Sequence, residues 1–416
     1  MQQRMIESFK MKSFLLLNVV FASLQTFSSL LLPNQLPLAA STTSNSLLVA
    51  SQADDITATS YQVSKYDLAT KLIWKQTIPS FAKTGFNRPV DVQEVGQNCI
   101  AFGVEMENSS YQANIHILSA TNGTIIKRFG IETPKIFEPS LNRTVSVISG
   151  SKLLTSPTTN TIYILITSLM NLDRAAYGYT IVKLDLKELK IEWNVNYQSK
   201  LPDGGSLEDA IEKDGQLWVV GGAGIIRIDS KTSAITEVTQ SDITNPYRVV
   251  DHNTFITISN FSTAAAYTPM MELKWVSDKA GFMQRNAKEL WYSKTNALSG
   301  NPADWTVKIG MLSQTGKNKW EIEYKSIEGV QEYGFAPKGS SAYILIAGKT
   351  KYGCVLGKFF CKWKKDSRLV LVNENGKIVS ENVDTSGTLG PHLFAWTEGH
   401  YWALDLNGNV VSWTEI

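Results

Sequence analysis

One short apolar motif recurs along this 416-residue chain and constrains the fold more than any other feature. It reads "SLLVAS" near Leu48, "CIAFGV" near Ala101, "IYILITS" near Tyr163 and "QLWVVGG" near Trp218. It returns as "TFITISN" near Phe255, "ELWYSKT" near Trp291, "AYILIAG" near Tyr343 and "HYWALDL" near Trp402. Most copies precede a second segment that alternates and ends on Asp, Ser or Asn, as in "YQVSKYD", "YTIVKLD" and "RLVLVN". A tight turn then leads to a third segment that often carries tryptophan, at Trp74, Trp193 and Trp320. Alternation with a period of two is the mark of β-strands. Asn122-Gly123, Asn375-Gly376 and Asn407-Gly408 predict type I′ hairpin turns, because Asn-Gly accepts positive φ. Helical periodicity is weak, and a helical turn is expected only at "SLEDAIEK", Ser206 to Lys213.

The motif returns about every 51 residues, near the 40–50 of a four-stranded propeller blade. The expected fold is therefore all-β: a single propeller of seven or eight blades, eight favoured, spanning 42–416. Seven stays open if 246–280 forms only a partial blade. The closing strand "GNVVSWTEI" is expected to pack where the ring closes, since an open stack of sheets leaves unsatisfied surfaces at both ends. Hydrophobic residues make up 43% of the chain, ample for such a core. Forty basic against 38 acidic residues give +2, which supplies no field for nucleic acid.

The order of apolar strand, alternating strand ending in "LD", turn and tryptophan is clearest in "YDLATKLIW" (Tyr66 to Trp74) and "ALDLNGNVVSW" (Ala403 to Trp413). It resembles the repeat of the pyrroloquinoline-quinone (PQQ)-like, or quinoprotein alcohol dehydrogenase-like, β-propellers, from about residue 45 to the end. The resemblance implies the fold. Enzymes of that superfamily hold the quinone on the axis beside calcium, many with two adjacent cysteines. This chain has no adjacent cysteines and no matching Glu/Asn/Asp set, so no cofactor, catalytic residue or metal ligand is expected.

The N-terminus has the layout of a secretory leader. Arg4, Lys10 and Lys12 precede the apolar run Phe14 to Leu32, followed by the small residues Ala39, Ala40 and Ser41. The leader is read as 1–41 with cleavage near Ala40 or Ser41, and an uncleaved anchor is the rival. Export fits the sequons at Asn108, Asn122, Asn142 and Asn260, which are candidate glycosylation sites. It also permits a disulfide between Cys354 and Cys361 across a short hairpin, with two thiols as the alternative. Cys99, in an apolar run, reads as a small core residue.

The sharpest local charge feature is "KFFCKWKK", in which Lys358, Lys362, Lys364 and Lys365 interleave with aromatics including Trp363. Such a segment can bind an acidic protein, lipid headgroup or anionic glycan through Coulomb and cation–π contacts. Its bland reading is a solvated hairpin. His392 and His400 could meet near the closure, and Asp203, Glu208 and Asp209 could gather a cation in a loop. The expected function is an exported, non-catalytic module binding a protein or glycan. The alternative is an enzyme working in the central funnel, quinone-dependent or polysaccharide-active. The longest insertions, near 131–160, 201–210 and 296–305, are the expected contact loops.

Overall fold

A computed structural model describes residues 27–414 except 31–34, 44, 54–58, 82–85, 108–109, 139–142, 156–159, 172–175, 199–206, 222–223, 240–245, 252–253, 260–262, 269, 271, 280–281, 287–288, 297–303, 326–327, 339–340, 356–359, 385–388, 398–399 and 406–409. The chain is a single all-β propeller of antiparallel four-stranded sheets. Strand β1 (Phe27–Leu30) is set aside for the last sheet. Sheet one is β2 (Gln35–Thr42), β3 (Ser46–Ala53), β4 (Ser60–Asp67) and β5 (Leu72–Pro79). Sheet two is β6 (Phe86–Val95), β7 (Asn98–Glu107), β8 (Ser110–Ser119) and β9 (Ile125–Ile131). A small hairpin of β10 (Ile136–Glu138) and β11 (Arg143–Val145) follows, inside the expected insertion at 131–160.

Sheet three is β12 (Val147–Thr155), β13 (Thr161–Asn171), β14 (Ala176–Asp185) and β15 (Lys190–Gln198). Sheet four is β16 (Leu207–Lys213), β17 (Gln216–Gly221), β18 (Gly224–Asp229) and β19 (Ile235–Thr239). Sheet five is β20 (Pro246–Asp251), β21 (Thr254–Ser259), β22 (Thr263–Tyr267) and β23 (Leu273–Ser277), so 246–280 carries four strands. Sheet six is β24 (Phe282–Asn286), β25 (Glu289–Asn296), β26 (Thr306–Ser313) and β27 (Asn318–Tyr324). Sheet seven is β28 (Glu328–Lys338), β29 (Ser341–Val355), β30 (Phe360–Val372) and β31 (Ile378–Asp384). Sheet eight is β32 (Leu389–Thr397), β33 (His400–Asp405), β34 (Val410–Thr414) and, outermost, β1.

Each of the eight recurring apolar segments is the second strand of its sheet. The reason, seen in β3, β7, β13, β17, β25 and β29, is that both faces of that strand are buried. In β13, Ile162, Ile164 and Ile166 pack toward sheet two, while Tyr163 and Leu165 pack toward sheet four. Each such side chain contributes roughly 1.5–3 kcal/mol when fully buried. First strands touch between every pair of successive sheets but five and six, and β32 touches β2, so they form the inner wall and the ring closes between sheets eight and one.

The third and fourth strands explain the "LD" and tryptophan signatures. In sheets one to seven the pairing shifts by one residue near the end of the third strand. Such a bulge re-aims the side chain beside it. At that position Trp74, Trp193, Trp275 and Trp320 reach into the following sheet. Their indole N–H groups donate to the carbonyls of Ala120 (3.0 Å), Ser230 (3.0 Å), Gln314 (2.9 Å) and Glu374 (2.6 Å). The carbonyl always belongs to the turn after the next sheet's third strand. Asp229 and Asn373 hold two of these turns by accepting backbone N–H groups with their side chains, and Asp67 and Asp185 hold the corresponding turns of sheets one and three in the same way.

Glycine is required where the indole lies flat on the turn. A Cβ on Gly123 would sit 2.5 Å from the Trp74 ring, and φ there is +74°. Asn122 and Asn375 are not among the positive-φ residues, so the Asn-Gly turns differ from the expected type I′ form. Only the glycine is left-handed, and at Gly376 its N–H donates to Asn373, the pattern of a type I turn with a glycine bulge. The Asn407-Gly408 turn lies outside the described residues.

One expectation meets different structure. "SLEDAIEK" contributes strand β16, not a helical turn, because Leu207 to Lys213 pair along β17 and the inner wall demands a strand there. Strand β1, and β2 up to Ser41, fall in the segment 1–41 read as a leader. Cleavage at Ala40 or Ser41 would take β1 and most of β2 out of their sheets. Among the described residues no helix is long and apolar enough to cross a membrane.

Candidate functional site

Two places in the propeller depart from plain packing. The first is the β29–β30 hairpin, which contains the lysine-rich segment. The first half of β29 is apolar, and Ala342 to Ile346 are buried. After Gly348 the sequence turns to "KTKYG", with little to bury, and the strand leaves the sheet. Pairing with β28 ends at Lys349, and pairing of β30 with β31 begins at Ser367. Beyond those points β29 and β30 pair only with each other. Thr350 to Val355 and Phe360 to Asp366 thus form a two-stranded arm.

The arm's register sets Lys349 opposite Lys365, Thr350 opposite Lys364, Lys351 opposite Trp363, and Tyr352 opposite Lys362. Five lysines therefore occupy one short ribbon, joined by Lys351 and Lys349, which the segment at 358–365 did not include. Lys358 lies outside the described residues. Cys354 and Cys361 fall between the pairs Tyr352–Lys362 and Val355–Phe360, on adjacent strands. The base of the arm is anchored. Arg368 donates to Glu381 across the sheet and to the Tyr324 hydroxyl at 3.2 Å, and Tyr324 donates to Glu381 at 2.8 Å.

The second place is the seam between sheets one and two. Its outer end is apolar, with Leu48, Val63, Cys99, Ala101 and Leu118 packed beside Trp74. Lys65 pairs with Glu94 at 2.8 Å and donates to the Ala120 carbonyl at 3.1 Å. Cys99 is fully buried, as expected, and burial pushes its thiol up to about 12, so it is inert at neutral pH.

Elsewhere in the same seam Tyr61, Asn87, Glu105, Asn114 and His116 are buried to 1% exposure or less. Glu105 accepts from the Phe81 N–H at 2.7 Å and from the Ser80 hydroxyl through one oxygen. Its other oxygen, the Tyr61 hydroxyl, both amide atoms of Asn87 and Asn114, and both His116 nitrogens have no hydrogen-bond partner among the described residues. Such groups are ordinarily satisfied by internal water. Burial, then the Arg128 guanidinium, hold His116 down to about 4, so it is neutral at pH 7. Its ring lies 5.4 Å from Phe81, over which Arg128 stacks at 5.3 Å. No sequence signal marked this set. Asn114 and His116 alternate in "ANIHILS" as outward polar residues of a strand would.

The inner wall carries a third polar group. Burial raises the Asp91 carboxyl to about 6 against hydrogen bonds from Val92 and Gln93 and the nearby Lys152. Gln93 donates to the Leu153 carbonyl at 3.0 Å and Lys152 to the Glu208 carbonyl at 2.6 Å, tying the first strands of sheets two, three and four together. Among the described residues no cluster of three or more His, Cys, Asp or Glu could hold a metal ion. Asp203 lies outside them, and Glu208 and Asp209 are part of β16, not a loop. His400 pairs with Thr397 at the end of β32, whereas His392 falls in the register break between Leu389 and Phe394.

Of the sequons, Asn122 is exposed at its turn, and its side-chain oxygen accepts from Thr124 N–H (3.1 Å) and hydroxyl (2.9 Å). Asn108, Asn142 and Asn260 lie outside the described residues, as do the expected contact loops at 201–206 and 297–303.

No family model matches the chain, and no curated protein matches it. Solved structures do. The crystal structure of BamB from Moraxella catarrhalis aligns with a TM-score of 0.50 at 15% identity, covering 94% of this chain and 98% of that one. The dihydro-heme d1 dehydrogenase NirN, solved in complex with DHE, aligns at 0.48 and 12% identity over 85% of this chain and 75% of its own.

Proposed function

We propose, for a chain whose fold is that of the PQQ-like β-propellers, an exported, non-catalytic scaffold whose β29–β30 arm docks an anionic partner, protein or glycan. The observation that carries this reading is the overrun of sheet seven. Two strands continue past both neighbours, and their register places Lys351, Lys362, Lys364 and Lys365 on one ribbon with Trp363, with Lys349 at its base. A lysine-rich ribbon suits electrostatic docking, and its strength should depend on salt. Each four-stranded sheet is one blade in this reading, which makes eight.

Export follows from the basic and apolar order of the N-terminal residues. An oxidising compartment would let Cys354 and Cys361 join and pin the end of the arm. The exposed Asn122 turn would accept a glycan where the host supplies one.

Replacing Lys362, Lys364 and Lys365 with Gln tests the site. Binding to a sulfated glycan and to an acidic protein is measured at low and high salt. The triple variant is expected to lose affinity, most at low salt, and the probe that shows the larger loss names the partner class. Unchanged affinity for both removes the arm from the site. Saturating quinone with calcium is expected to leave the melting temperature unchanged. A rise would favour the funnel enzyme, because a ligand of the folded state must stabilise it.

A further inference from the structure

We propose that the leader is cut after Ala22, so that the mature chain begins at Ser23 and carries both β1 and β2 into the fold. This rests on the export reading above. Strand β1 pairs residue by residue with β34: Phe27 with Trp413, Ser28 with Ser412, Ser29 with Val411 and Leu30 with Val410. It is the outer strand of sheet eight. Strand β2 pairs with β3 from Gln35–Ala53 to Thr42–Leu47 and touches the first strands of sheets two and eight. Ala39 is 5% exposed, within the core between sheets one and two. A cut at Ala40 or Ser41 would remove the outer strand of one sheet and most of the inner strand of its neighbour. Both losses fall at the junction that closes the ring, and each would bare a strand edge.

The residues upstream of Phe27 hold a complete leader of their own. Arg4, Lys10 and Lys12 supply the basic start, and Phe14 to Phe21 supply an apolar run of the 7–15 residues such leaders use. Val20-Phe21-Ala22 then ends on a small residue and is followed by Ser23, the form a cleavage site takes. The run to Leu32 looked like one apolar stretch because a leader and a mature strand stand side by side in it.

The test expresses the full chain with its own leader in a secreting host and reads the N-terminus by intact mass and sequencing. Ser23 is the expected first residue. Any other start overturns the cut. A start at Ser41 or Thr42 in the exported fraction does so while leaving the export reading intact, whereas an intact Met1 in the intracellular fraction overturns both. Ala22→Phe is expected to block processing and Ala40→Phe to leave it unchanged; the reverse pattern overturns the proposal. Deleting Phe27 to Leu30 from the Ser23-start protein should lower its melting temperature, and no change would remove β1 from the closure.

Discussion

Sheet two shows its two neighbours different faces. Toward sheet three it presents Ile100, Phe102, Ile115 and Ile117, all fully buried in an apolar cluster shared with Ile162, Ile164 and Val182. No indole latches that seam: Lys127 stands at the bulge position that Trp74 fills one sheet earlier. Toward sheet one the same sheet presents Asn87, Glu105, Asn114 and His116, and here the Trp74 latch is present. The tryptophan is therefore not a uniform requirement of the repeat. A seam can be held by continuous apolar packing, or by one large ring and a hydrogen bond beside a polar interior. The polar seam gives up stability, since a buried group without a partner costs about 1–3 kcal/mol.

The sharpest way to break the contrast is Phe102→Ala, expected to lose about 3–5 kcal/mol in denaturant unfolding because it empties the apolar seam. Next is pH. His116 stays neutral in the fold down to about 4, while an unfolded histidine takes its proton near 6.5. The unfolded state binds more protons between those values, so stability falls as pH drops through the window, by up to about 3 kcal/mol. Asp91, raised to about 6, acts oppositely: the fold holds its proton where the unfolded chain has lost it, so stability falls as pH rises from about 4 to 6. The two overlap, and His116→Phe isolates the histidine. The variant's advantage over the native chain should grow from pH 6.5 to pH 4, and a constant difference would show that His116 does not titrate this way.

Trp74→Phe keeps a ring but removes the indole donor, leaving the Ala120 carbonyl to Lys65 alone. A loss of about 0.5–1.5 kcal/mol is expected, readable as a fall in the unfolding midpoint. Asn114→Leu, nearly equal in size, is expected to gain about 1 kcal/mol if the seam is a purely structural burial. A loss instead would mean that Asn114 serves internal water. The smallest effect on stability, within about 0.5 kcal/mol, is expected for the arm lysines, which lie beyond the four-stranded sheet.

Much of this architecture could be read from residues because its rules are local. Eight apolar segments announced eight second strands, since a strand buried on both faces has no polar alternation to hide it. Asp67, Asp185 and Asn373 announced turns because their side chains cap backbone N–H groups. "SLEDAIEK" misled because its helical spacing of Leu207, Ala210 and Ile211 is overruled by pairing with β17, a contact that no local window contains. The first two strands were hidden for a related reason. A strand facing the core and a leader facing a membrane use the same amino acids. The polar seam was illegible because a buried Asn114 and a solvated one have the same letter, and only the neighbouring sheet decides between them.

Strand β1 is made first and its partner β34 last. Joining them closes a span of almost the entire polypeptide, a chain-entropy cost of about 5 kcal/mol for a flexible loop of that size. During synthesis β1 therefore waits, edge bare, until β34 emerges. A fragment lacking β34 would leave sheet eight without the partner of β1.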